Sequence, residues 1–140
     1  MKKFTLVLAL TLFSVLCLGQ ILEATISAEC EPYIQKNGSL VQAYNIGAVS
    51  VYYPGGYCVA EMEVWLVDLD SEAENTGSLY HANWNGASGE GPIAAHLTGV
   101  SNHHYIAYCY SMGTVYDAAH SPQHVIEQFS DDENAGPLTF

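Results

Sequence analysis

Between Leu22 and Cys30 every second side chain is apolar (Leu22, Ala24, Ile26, Ala28 and Cys30), and every intervening one is polar (Glu23, Thr25, Ser27 and Glu29). That period of two belongs to a strand with one face in water and the other in a core. The pattern returns from Tyr57 to Val67, where Cys58, Ala60, Met62, Val64 and Leu66 share one face and Val59, Glu61, Glu63, Trp65 and Val67 the other. Two carboxylates mark the second set as the wet one, so the first is expected to line the core. No long helical period competes with these strands.

Turn signals divide the rest into short extended pieces. Asn37-Gly38 separates Tyr33-Ile34 from Leu40-Val41 and suits a tight hairpin turn. Leu40 to Tyr53 is rich in β-branched and aromatic residues, with Gly47 a candidate bulge, and Pro54-Gly55-Gly56 turns the chain into the strand from Tyr57. Asp68 to Gly77 reads as an acidic loop, Ser78 to Ala82 as a short strand, and Asn83 to Pro92 as a long irregular loop holding Gly86, Gly89 and Gly91. Ile93 to Thr98 and His104 to Met112 are the next strands; the second lacks a strongly polar face and is expected to be central or to border an interface. Val115 to Phe129 fits either a short helix begun by Ser121-Pro122 or a final strand.

Lys2 and Lys3 followed by an uncharged, mostly apolar run to Leu18 and a small residue at Gly19 predict a cleavable signal peptide over 1–19. A β-sandwich domain is expected over 20–130 and a flexible tail over 131–140, where Asp131, Asp132 and Glu133 repel one another. After cleavage Lys36 is the one remaining cation against fifteen Asp and Glu. That balance excludes binding to nucleic-acid phosphates and disfavours anionic membrane surfaces, leaving cations, neutral sugars and basic partners. The expected location is secreted or periplasmic, with no membrane insertion once the signal is gone.

In an oxidising compartment two of Cys30, Cys58 and Cys109 are expected to pair. Each of Cys58 and Cys109 lies within a strong strand pattern, and this is the pairing expected. About seven strands and frequent turns predict an all-β fold, an antiparallel β-sandwich. Cys58 and Cys109 with Trp65 between them are spaced loosely like an immunoglobulin domain, but Trp65 lies on the opposite face of Cys58's own strand and Tyr108 directly precedes Cys109. The architecture is therefore read from the pattern, and no family is.

Catalysis finds little footing. Gly86-Ala87-Ser88-Gly89-Glu90 lacks the last glycine of a nucleophile elbow. Glu61 and Glu63 share a strand face about 7 Å apart, a spacing open to glycosidic chemistry and equally to an ordinary solvated face. The histidines His81, His96, His103, His104, His120 and His124 follow no zinc spacing, and only a cross-strand meeting such as His96 with His104 could gather them. Asp68, Asp70, Glu72 and Glu74 alternate at a strand end and offer hard oxygen ligands to calcium. Ala73 and Leu79 stand where an EF-hand loop needs glycine and glutamate, so a solvated acidic loop competes with that reading.

The chain is thus expected to be no enzyme and to need no cofactor, calcium aside. One expectation is a noncatalytic domain with a structural or protein-contact role, including self-association through an edge strand. The other is a carbohydrate-binding module, in which Trp65 and Trp84 stack on sugar rings while Glu61 and Glu63 accept hydroxyl protons. A calcium-binding extracellular domain is a further alternative. A secreted inhibitor or effector fits size and compartment equally and has no discriminating residues.

Overall fold

The computed structural model describes residues 23–117 and 124–140. The signal segment 1–19, His120 and the Ser121-Pro122 helix start lie outside the described residues. Eight strands follow in order: β1 (Thr25–Glu29), β2 (Pro32–Asn37), β3 (Leu40–Asn45), β4 (Ala48–Asp68), β5 (Glu74–Glu90), β6 (Ile93–Thr98), β7 (His104–Tyr116) and β8 (Val125–Thr139). No helix among the described residues is long and apolar enough to cross a membrane. All pairings are antiparallel, in a five-stranded sheet of β1-β4-β7-β8 with β5 on the other side of β4, and a three-stranded sheet β2-β3-β6.

The alternation of β4 sorts as its residue types require. Cys58, Ala60, Met62, Val64 and Leu66 are fully buried, and they meet Val41 and Ala43 of β3, Ala95 of β6 and Tyr105 and Ala107 of β7 in one core. β1 alternates as expected, with Ile26 and Ala28 against the core and Cys30 buried just beyond its end. β7 is central, hydrogen-bonded to β4 on one side and β8 on the other. In the β2–β3 hairpin Asn37 pairs with Leu40, so the turn residues are Gly38-Ser39, one place later than the sequence suggests, with Gly38 at φ +63°.

Two expected breaks are not breaks. Pro54-Gly55-Gly56 lies inside β4, where Tyr53 to Gly56 bulge opposite the single residue Asn85 of β5. Gly55 (φ +82°) and Asn85 (φ +64°) both take left-handed backbone there, and the Gly55 amide donates to Asn85 Oδ1 at 2.7 Å. The β4–β5 ribbon bends at this bulge, as strands that pass between layers do. Beyond it Val49 and Val51 come over the inner face of β7, where a β-carbon at Gly113 would collide with Ile26 and Val51. Asn83 to Glu90, expected as an irregular loop, is therefore strand; a side chain at Gly89 would run into Leu79 and Met62, so glycine here serves close approach rather than a turn.

The tail is the second correction. Residues 131–139 form the second half of β8, paired to β7 from Asp131 opposite Ser111 to Thr139 opposite His104. Phe140 then exchanges backbone hydrogen bonds with Asn102 and His103, and its ring fills the space over Gly99 with Lys36 Nζ 5.0 Å from its centroid. Backbone pairing outweighs the mutual repulsion of the three carboxylates.

The Cys58–Cys109 bridge is the third correction. Both cysteines face inward, but Cys58 lies opposite Val115 and Cys109 opposite Val64. They are thus offset by about 20 Å along neighbouring strands, far beyond the Cα separation of about 7 Å that a disulfide tolerates. All three described cysteines carry free thiols. Cys58 and Cys109 also belong to one sheet, whereas the immunoglobulin bridge joins two.

Candidate functional site

The register of β4 with β5 and β7 builds a single outer face on the five-stranded sheet, because directly paired residues project to the same side. One cross-strand row is Trp84, Tyr57, Tyr116; the next is Ala82, Val59, Thr114. Then come Tyr80, Glu61, Met112; Ser78, Glu63, Tyr110 and, on β8, Asp132; and Thr76, Trp65, Tyr108. The four residues expected for sugar binding, Trp65, Trp84, Glu61 and Glu63, therefore share one face. The two indoles stand at its opposite ends, about 26 Å apart by strand rise, with the carboxylates between them.

This face is open to solvent at its aromatic rim: Tyr80 is 64% exposed, Trp84 52% and Tyr108 43%. Trp65, Tyr57 and Tyr110 are half-buried against their neighbours. Trp84 meets Tyr57 edge-on, with ring centroids 5.5 Å apart and an interplanar angle of 71°. Desolvation raises the Tyr80 phenol, and Tyr57, Glu61 and Tyr116 nearby raise it further. Desolvation likewise raises Tyr110, whose hydrogen bond with Ser130 partly offsets that burial and the negative field of Glu61, Glu63 and Asp132. Both phenols therefore keep their protons past neutral pH, placing hydroxyl donors beside carboxylate acceptors. Between the two aromatic rows the small residues Val59 and Thr114 are buried, and Thr114 Oγ1 has no hydrogen-bond partner among the described residues.

The expected calcium set divides. Asp68 and Asp70 come together, but Glu72 lies out in the turn at φ +59° and Glu74 opens β5 opposite Val67. In their place stands His103, whose ring nitrogen and the two aspartates offer three ligand atoms within 4.8 Å of one another. Asp68 is 2% exposed; its Oδ2 accepts from Ser71 Oγ at 2.6 Å and pairs with His103 Nδ1 at 2.7 Å, while Oδ1 takes the Asp70 amide. Burial pushes this carboxyl up, but the hydrogen bonds from Ser71, His103 and the Asp70 amide prevail and hold it well below the usual carboxylate range. Asp70 accepts the His104 amide at 2.7 Å and pairs with His104 Nδ1 at 3.1 Å, and these lower it too. The cluster thus fastens the β4–β5 turn to the start of β7, and its carboxylates are occupied by protein donors.

Among the described residues the other histidines join no such cluster. His96 sits on β6 in the three-stranded sheet, away from the Asp70 partner of His104, and His81 Nδ1 lies 2.9 Å from the Ser88 carbonyl. Ser50, Tyr52, His81 and Ser88 line an open hollow of about 230 Å³ at the ribbon's bend. That is smaller than the pockets of about 300–1,000 Å³ that enclose small-molecule ligands, so the broad aromatic face is the larger surface on offer.

Tyr57, Tyr80, Tyr108, Tyr110 and Asp132 were not among the expected site residues. Their alternation within each strand is visible in the sequence, but the pairing that brings them beside Trp65 and Glu61 is not. A scan of protein-family models finds no match to this chain, and a search of curated proteins finds none either.

Proposed function

We propose that this is an exported, noncatalytic binding domain that holds a neutral carbohydrate chain along the outer face of its five-stranded sheet. The observation that carries the proposal is the shared face of Trp84, Tyr57, Tyr80, Glu61, Glu63, Tyr110, Trp65 and Tyr108. Indole and phenol rings offer flat apolar surface to the C–H faces of sugar rings. Carboxylates and protonated phenols between them match sugar hydroxyls as acceptors and donors. Two indoles about 26 Å apart suit an extended chain of several sugars rather than a single one. A formal charge of −12 favours neutral over anionic polysaccharides.

A protein-contact role is the second reading, favoured by Val125, Ile126 and Phe129, all exposed on the outermost strand β8. Arrays of neutral oligosaccharides separate the two. Binding that is lost in both Trp65→Ala and Trp84→Ala supports the carbohydrate platform. Absence of binding across neutral glycans, with a mass in solution that rises with concentration, supports the protein-contact role instead.

A further inference from the structure

Cys30 follows the end of β1 and lies against the paired residues Ser111 of β7 and Asp131 of β8. Its amide donates to Asp131 Oδ2 at 2.9 Å, and its Sγ lies 3.0 Å from the Asp131 carbonyl oxygen and 3.4 Å from Ser111 Oγ. Ser111 and Cys109 are two residues apart on β7 and both project inward, Ser111 opposite Asp131 and Cys109 opposite Glu133. Burial pushes the Cys109 thiol up, and the neighbouring Cys30 pushes it further. Only 4% of Cys30 and 2% of Cys109 is exposed. Cys58, by contrast, sits opposite Val115, at the far end of the β4–β7 pair from Cys109.

We infer that Cys30 and Cys109 are a disulfide-forming pair, closed when the chain folds in an oxidising compartment, and that Cys58 stays a thiol. The pair joins the end of the first described strand to the central strand of the sheet, fixing β1 against β7 where β8 covers both. Oxidation needs a disulfide reagent such as oxidised glutathione. One cysteine thiolate attacks it and releases one glutathione; the second attacks the mixed disulfide at the protein sulfur and releases the other. Two electrons pass from the cysteine sulfurs to the reagent, and the two thiol protons end on the two glutathiones. Because the folded pair is buried, the exchange takes place before β8 closes over Cys30.

The full chain, reduced and denatured, is refolded in mixed oxidised and reduced glutathione, and the folded monomer is isolated by size exclusion. Remaining thiols are alkylated under denaturing conditions, and the protein is cut with a glutamyl endopeptidase without reductant for mass mapping. The inference expects one peptide pair joined through Cys30 and Cys109, two hydrogens lighter than the separate thiols, with Cys17 and Cys58 alkylated. Cys58→Ser is expected to keep the same linked pair. The oxidised protein should melt on the order of 10 °C above the reduced one, since the bond closes a long loop. Folded monomer with Cys30 and Cys109 both alkylated, or a bond that includes Cys17 or Cys58, overturns the inference.

Discussion

Along β4, neighbouring side chains do opposite work. Met62, Val64 and Leu66 vanish between the two sheets, while Glu61, Glu63 and Trp65 look outward among the tyrosines of β5 and β7. The inner face satisfies its few polar atoms internally. Asn45, fully buried, donates from Nδ2 toward Ser111 Oγ (3.1 Å) and the carbonyls of Glu63 and Tyr110, and accepts the Gly47 amide at 3.1 Å. The outer face leaves much of its polar surface to solvent, and Thr114 Oγ1 has no partner among the described residues. One face is built to hold the fold, the other to meet something else, and substitutions should separate the two.

The largest effect belongs inside. Met62→Ala removes a fully buried side chain from the core and is expected to cost about 2–5 kcal/mol in urea unfolding. A loss below 1 kcal/mol would mean that the inner face is not where stability resides. Asn45→Leu leaves the buried Ser111 hydroxyl and the Gly47 amide without this partner, and about 3 kcal/mol is expected. An unchanged midpoint would show that those hydrogen bonds are dispensable.

On the outer face the sign changes. Thr114→Val takes away a buried hydroxyl with no partner among the described residues and should stabilise the protein by about 1 kcal/mol. If it destabilises, the hydroxyl has a partner in solution and the contrast between faces is weaker there.

The last difference is confined to acid and comes from neither face but from the sheet end. Asp68 is held below its ordinary range in the folded protein, so the stability it contributes is complete above the unfolded value near 3.9 and is lost as pH falls through the folded one. Asp68→Asn should lower stability at neutral pH and flatten the decline below about pH 4. A parallel decline in both proteins would place the acid sensitivity elsewhere.

How much of this the sequence discloses depends on whether a feature is local. The inward set of β4, the bounds of β6, the hairpin after Asn37 and the central place of β7 follow from alternation and turn chemistry within a few residues. Pairing partners do not. Glycines that usually mark turns sit inside β5 because side chains and backbone distant in sequence press on them, and nothing near Gly89 in sequence announces Met62. The Cys58–Cys109 pairing failed for the same reason: strand propensity places a residue on a strand but says nothing about its offset from a neighbour. The expected carbohydrate residues did fall on one face, since Glu61, Glu63 and Trp65 share a strand and the partner of Tyr57 is Trp84. The tyrosines among them, and the histidine that joins Asp68, come from elements distant in sequence.

The direct test of the outer face is paired calorimetry on Trp65→Ala and Trp84→Ala, following thermal unfolding and titration with a neutral oligosaccharide selected from the array. Each variant is expected to unfold within about 1 kcal/mol of the parent, since partly exposed side chains contribute little to the core, while its affinity falls at least tenfold. Variants that lose several kcal/mol of stability, or that bind the sugar as tightly as the parent, contradict the account of that face as a ligand platform.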